Sequence, residues 1–409
     1  MALVRRVLAF GGLPFLSLVT PFLFLPVLAR VAGAEAWLAI AIGQSVGAFA
    51  ALVVGLGYNA VGPTAVALAA PAERHAVLER SIRPRLALFA PAVVVATTVA
   101  AVIAPSTHRL DAALMAIALT LGGLSSAWYM VGLGRAGLIV VFELLPRLVA
   151  TAVAAIALLV LGQVTWYPAL LIAAALIGSG VFIAREVGLS ALLVASPGAM
   201  RREFTTNRSA LTTEIAAGAH NSLAVTFVSL VAPVAQAAAY ISGDKLYRIG
   251  QYSVSALGNA LQGWAVEDDR REFDRRVRVA ILWHLALGLV GLTVFTSLGP
   301  PLSELFFGAT VAIDLATAAG FGVATLGIAL GTALGRVVLV GLGSRREFML
   351  SVLAGAAVGV ASILALSGPF GAAGGAWGLA LGELVSVSCQ AFFVARGMRA
   401  RRRPDEGIA

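Results

Sequence analysis

Residues 74–104 read RHAVLERSIRPRLALFAPAVVVATTVAAVIA, and the two ends of that stretch follow different chemistry. Arg74, Arg80, Arg83 and Arg85 crowd its start, and from Leu86 to Ala104 there is no further charge. An apolar run of about 20 residues, rising 1.5 Å per residue as a helix, is long enough to cross the hydrocarbon core of a bilayer. The same alternation of arginine and grease recurs along the chain. The predicted spans are 7–29, 36–57, 85–104, 111–133, 142–162, 167–187, 210–232, 238–263, 279–300, 312–336, 348–367 and 375–395. Sixty per cent hydrophobic and 12% charged residues lie outside the soluble globular range. The expectation is an all-α polytopic membrane protein of about 12 transmembrane helices, because a helix satisfies its own backbone in lipid.

A net charge of +9 would suggest nucleic acid only if its distribution were ignored. With twelve spans both termini share one side. That side collects 23 of the 29 basic residues, against Arg30 and Arg109 on the other. The positive-inside rule then makes it cytoplasmic. The remaining four, Arg147, Lys245, Arg248 and Arg336, fall inside spans. The opening MALVRR and Ala32-Gly33-Ala34 imitate a signal peptide, but cleavage would leave eleven spans, so the first helix is read as retained. Cys389 has no partner for a disulfide, and no zinc-type cluster is present. No cofactor is expected beyond a coupling ion, H+ or Na+.

An internal repeat organises the spans. AGAEAW at 32–37 parallels AQAAAY at 235–240, and Asp111 within LDAA parallels Asp314 within IDLA, both 203 residues apart; VGLG recurs at 131–134 and 340–343. Two six-helix lobes, 1–200 and 201–396, follow, with a basic cytoplasmic tail at 397–409. Six is even, so the lobes form a parallel repeat, here expected to flank a central cavity. The longest loops, near 188–208 and 264–278, are read as cytoplasmic.

Several patterns carry no chemistry. Gly132 to Gly137 match G-x-G-x-x-G, yet they follow a membrane helix rather than a strand. The sequon at Asn207 lies on the cytoplasmic side. Gly374, Gly378 and Gly382 read as a helix-packing stripe. His220 and His284 read as core histidines. No catalytic constellation and no metal site is found.

Charge within a span is costly enough to imply a role. On a helix over 238–263, Tyr240, Asp244, Arg248, Gln251, Ser255, Asn259 and Gln262 share an arc of about 100°, with Lys245 and Tyr252 on one flank and Tyr247 on the other. This polar stripe should line water. Asp244 and Arg248, acid first at i, i+4, are expected to pair. Lys245, the only lysine, has no obvious partner on its own helix and is the first candidate for a substrate contact. Glu143 lies one turn before Arg147, and Arg336 lies near the cytoplasmic end of its span. Glu214 and Glu383 are the carboxylates placed to carry a coupling proton. The span cations suit an anionic ligand such as a phosphate or pyrophosphate.

Five stretches resemble the polysaccharide-exporter and O-antigen flippase family of the multidrug/oligosaccharidyl-lipid/polysaccharide superfamily. They are PFLFLPVLARVAGAEAW, AWYMVGLGRAGL, VAPVAQAAAYISGDKLYRIGQ, ELFFGATVAIDLA and GPFGAAGGAWGLALGELV, in order along nearly the whole chain. The resemblance implies paired six-helix lobes that flip a lipid-linked glycan, on a polyprenyl pyrophosphate, to the outer leaflet by alternating access. It implies membrane lipid and other glycan-assembly membrane proteins as partners, and Arg147, Lys245 and Arg248 as pyrophosphate contacts. One departure is that span 7–29 is less polar than is common in the family. A multidrug cation antiporter of the same superfamily is the alternative. An intramembrane enzyme or a scaffold of glycan assembly is disfavoured, lacking a long catalytic outer loop and leaving the stripe no use.

Overall fold

The computed structural model describes residues 24–188, 197–266 and 273–402. Every regular element among them is a helix. Eight stretches are long and apolar enough to cross a membrane: Gly33–Leu68, Pro71–Ile103, Ser106–Gly132, Ala136–Leu161, Trp166–Glu186, Arg275–Phe307, Leu315–Leu339 and Arg345–Gly397. They cover nine of the twelve predicted spans, because the last stretch contains two. Span 7–29 lies mostly outside the described residues. The other two spans fall in helices of 35 and 33 residues; only Asn221–Val231 of the first is apolar enough to register, and the second carries three charges within 244–248.

The chain forms two compact units, Met1–Ser229 and Leu230–Ala409. The first contains α1 (Gly33–Gly55), α2 (Tyr58–Leu68), α3 (Arg74–Ile103), α4 (Arg109–Thr120), α5 (Ala127–Gly132), α6 (Ala136–Ile139), α7 (Leu145–Leu161), α8 (Trp166–Glu186) and nearly all of α9 (Pro197–Val231). Gly43 and Gly47, one turn apart, bring the α1 backbone onto α4. A Cβ at Gly43 would strike the Ala112 carbonyl, and one at Gly47 would lie 2.6 Å from that of Ala116. Lipid tails offer no hydrophobic drive between helices, so such close backbone contact is what joins them. A left-handed turn at Leu56 and Gly57 separates α1 from α2. The far half of α3 leaves Val94, Val95, Val99 and Val102 exposed, as a lipid-facing helix should.

α9 departs from expectation. Its residues 197–208, read as a loop, are helical, and Asn207 of the sequon is buried. Its contacts run to the first unit, although the repeat would open the second lobe at 201. Tyr58 Oη donates to Glu203 at 2.7 Å, Ser45 and Thr226 share a hydroxyl hydrogen bond of 2.7 Å, and Ser45 also donates to the Ser222 carbonyl. Gly57 abuts Ala210, and Gly218 abuts Leu52. Polar groups in an apolar medium bind where their partners are, and those of α1 and α2 are on α9.

The second unit holds α10 (Val234–Val266), α11 (Phe273–Phe307), α12 (Leu315–Gly331) and α13 (Arg345–Arg402). α13 is two antiparallel limbs: Gly371, at φ 56° and ψ −132°, turns the chain back, and Ala372 N–H donates to Gln236 Oε1 at 3.2 Å. A Cβ at Gly378 would lie 2.6 Å from Ile363 N, one at Gly355 would lie 2.7 Å from Gly382 O, and one at Gly374 would strike the Leu366 carbonyl. The glycine stripe is therefore the seam of a helical hairpin. Gly378→Leu should sharply lower the yield of monodisperse protein, since overpacking costs about 1–3 kcal/mol or more where backbone faces backbone. Gly397→Ala, with its nearest neighbour at 3.6 Å, should leave that yield unchanged in the same size-exclusion assay.

The 3₁₀ turns that precede α4 and α12, Ser106–His108 and Ala309–Val311, stand 203 residues apart, the offset of the sequence repeat. Asp314 caps α12 by accepting from Thr317 N–H at 2.8 Å. Its counterpart Asp111 binds His108 at 2.7 Å and Thr165 at 2.6 Å.

Candidate functional site

In the first unit a cavity of about 150 Å³ is lined by Gln44, Ser125, Glu143, Arg147, Thr151 and Tyr167 among others. Its charged wall is built by an irregularity between α6 and α7, the π turn Val140–Leu144. Pro146 has no N–H, so the Phe142 carbonyl lacks its ordinary helical donor. Gly178 of α8 lies directly over that carbonyl, where no side chain would fit. The π turn thus sits where a proline breaks the ladder and a glycine lets the next helix close in. Glu143 belongs to the turn, and Arg147 follows in the first turn of α7.

Glu143 accepts a hydrogen bond from Ser125 Oγ. Ser125 is fixed in turn by Arg85, which is 1% exposed. Nη2 of Arg85 donates to Ser125 O at 2.6 Å and to Gly123 O at 2.9 Å, and Nε reaches Gly123 O at 3.2 Å. Its guanidinium also lies 5.9 Å from the Trp128 ring centroid. These carbonyls are free because the 3₁₀ turn Leu121–Leu124 interrupts the helix after α4. The charge pattern counts Arg85 with the cytoplasmic-side cations, at the edge of the predicted span 85–104. It is interior because α3 begins at Arg74, three turns earlier. Arg147 itself is exposed, and among the described residues its guanidinium makes no hydrogen bond or ion pair.

In the second unit the charges lie on α10. Arg248 Nε donates to Asp244 Oδ2 at 2.8 Å, which is the predicted i, i+4 pair. The Asp244 side chain is 4% exposed and that of Arg248 35%, so the pair presents its positive end. Lys245, beside them, is half-buried and engaged in contacts of its own.

The stripe does not line water along its whole length. Tyr240 and Tyr247 are buried, with ring centroids 5.2 and 5.6 Å from that of Phe321, so both belong to the core and not to a cavity wall. Gly243 between them sits on the same ring. Further along, Gln251 is half-buried, while Tyr252, Ser255 and Asn259 are exposed. The side chain of Gln262 is outside the described residues. Arg336 lies in the π-helical stretch Thr332–Leu339 and donates from Nη2 to Asn259 Oδ1 at 3.2 Å.

The two proposed coupling carboxylates belong to different units. Glu214 is half-buried on α9, and its Oε2 is buried without a hydrogen-bond partner among the described residues. Glu383, on the second limb of α13, packs across Gly327 of α12 and has contacts of its own. His284 is a core histidine, its Nδ1 2.8 Å from Ala280 O. The structure therefore groups Asp244, Lys245 and Arg248, places Arg336 with Asn259, and sets Glu143 with Arg147 in a different unit. Sequence reasoning missed Ser125 and Arg85.

The chain is thus an all-helical, multi-pass membrane protein with a charged cluster in each of its two units. No protein-family model matches the chain, and no curated protein matches it. Solved structures do. The lipid II flippase MurJ, in an inward closed conformation, aligns with a TM-score of 0.70 at 12% identity, over 96% of this chain and 87% of that one. An inward-facing multidrug resistance MATE family transporter of the MOP superfamily gives 0.62 at 14%, over 96% and 99%. The eukaryotic MATE transporter AtDTX14 gives 0.58 at 14%, over 98% of each chain. The chain shares the fold of these three proteins.

Proposed function

We propose that this protein is a membrane transporter that moves an anionic lipid-linked glycan, carried on a polyprenyl pyrophosphate, from the cytoplasmic to the outer leaflet by alternating access. The reading places it in the cytoplasmic membrane with both termini inside, driven by an ion gradient or the membrane potential. It rests on one observation above the rest: the accessible ends of the charged clusters are cationic. Arg147 is exposed and its guanidinium makes no hydrogen bond or ion pair among the described residues, while Asp244 is buried behind Arg248 and Glu143 is held by Ser125. Guanidinium groups are suited to forked contacts with phosphate oxygens. The fold shared with a lipid II flippase supports the same direction.

A cation antiporter is the second reading. Its support is the fold shared with multidrug transporters and the half-buried Glu214, whose unpartnered oxygen suits a carried proton.

The test is proteoliposome flipping of a fluorescent polyprenyl-pyrophosphate oligosaccharide. The expected result is protein-dependent flipping that Arg147→Ala lowers about tenfold, the cost of one charged hydrogen bond of about 1.5 kcal/mol, with folded protein unchanged. Absence of flipping, together with export of a cationic dye that Glu214→Gln abolishes, would replace this reading by the second.

A further inference from the structure

Two acid-before-arginine pairs at i, i+4, Glu143–Arg147 and Asp244–Arg248, fall inside the predicted spans 142–162 and 238–263, and the structure treats them oppositely. Asp244 and Arg248 are joined at 2.8 Å. Glu143 and Arg147 share the same spacing and the same favourable order, yet no ion pair joins them. The difference is a third residue. The Glu143 carboxylate accepts from Ser125 Oγ, and nothing on the second unit does the equivalent for Asp244 among the hydrogen bonds described.

Ser125 is well fixed for that task. Its carbonyl is clamped by Arg85, and its Oγ accepts from Ala127 N–H at 3.1 Å, which leaves the hydroxyl proton directed elsewhere. A hydroxyl donating to a carboxylate makes a charge-assisted bond. Ser125, Glu143 and Arg147 all line the one cavity, so the bond determines which charge that cavity offers.

We infer that Ser125 is a specificity-determining residue: by holding Glu143, it keeps the Arg147 guanidinium open to an anionic group, and Arg85 is the positioning residue behind it. Without the serine, Glu143 closes onto Arg147 as Asp244 closes onto Arg248, and the cavity loses its cation. The inference depends on the reading of an anionic substrate.

Binding of radiolabelled farnesyl pyrophosphate to the full-length protein in detergent tests it. Ser125→Ala should weaken binding about tenfold. Glu143→Gln should bind at least as well as the wild type, because a neutral amide cannot neutralise Arg147. The double variant should match Glu143→Gln within about twofold. That rescue is a result that mere loss of packing at Ser125 would not give. If Arg147→Ala abolishes binding while Ser125→Ala binds like the wild type, the inference fails and the anionic reading stands. A double variant as weak as Ser125→Ala alone also overturns it. If Arg147→Ala binds as well as the wild type, the anionic reading fails and takes this inference with it.

Discussion

Arg85→Leu should be the most damaging single change in the first unit, lowering stability by about 3 kcal/mol or more. The arginine is 1% exposed, and its guanidinium satisfies two carbonyls, Gly123 and Ser125, at a break between helices. Leucine fills part of the volume but donates nothing, and each buried acceptor left unmet costs about 1–3 kcal/mol. A thermal scan of the purified variant in detergent should show a clear drop in the unfolding midpoint. Arg80→Leu, one turn or so earlier and exposed, should move it little, since its bond to the Ala76 carbonyl competes with solvent. A midpoint for Arg85→Leu equal to that of the wild type would show that the 3₁₀ turn stands without the clamp. Arg85→Lys should fall between, because a single ammonium cannot reproduce the planar fork that meets both carbonyls.

Asp244→Ala should come next, at about 2–3 kcal/mol. Removing one partner of a buried ion pair leaves an uncompensated charge, which ordinarily costs about 3–5 kcal/mol. The 35% exposure of the Arg248 side chain argues for the lower range, because that charge can recover some hydration. The double variant Asp244→Asn, Arg248→Gln should be more stable than Asp244→Ala, as both charges leave together. Chemical denaturation of the three proteins in one detergent decides this. If Asp244→Ala alone matches the wild type, the pair is not structural and both groups are held for function.

The spans were legible because charge and grease separate cleanly along this chain, as at Arg74–Arg85 and the run after it. The Asp244–Arg248 pair was legible too, since both partners lie on one helix and local geometry decides the contact. The glycine stripe could be read for the same reason, although the turn at Gly371 that makes it a hairpin could not. What failed were contacts between distant segments. Tyr240 and Tyr247 look like part of a wet face until Phe321 is brought against them. Arg85 has the neighbours of a loop cation, and only the helix start at Arg74 and the broken backbone at 121–125 make it interior. Nothing at Ser125 marks it, because its importance comes from a residue 40 positions before and another 18 after.

The seam between α1 and α9 bears on how the chain is made. Ser45 meets Ser222 and Thr226 only after 177 and 181 further residues have been synthesised. Until then α1 resides in the bilayer with its mid-helix hydroxyl turned to lipid or to its own backbone. Tyr58 waits likewise for Glu203, 145 residues on. The first unit is thus unfinished when its eighth helix leaves the ribosome. A nascent chain stalled before residue 200 should remain a client of the insertion machinery, and one stalled past 229 should be released from it.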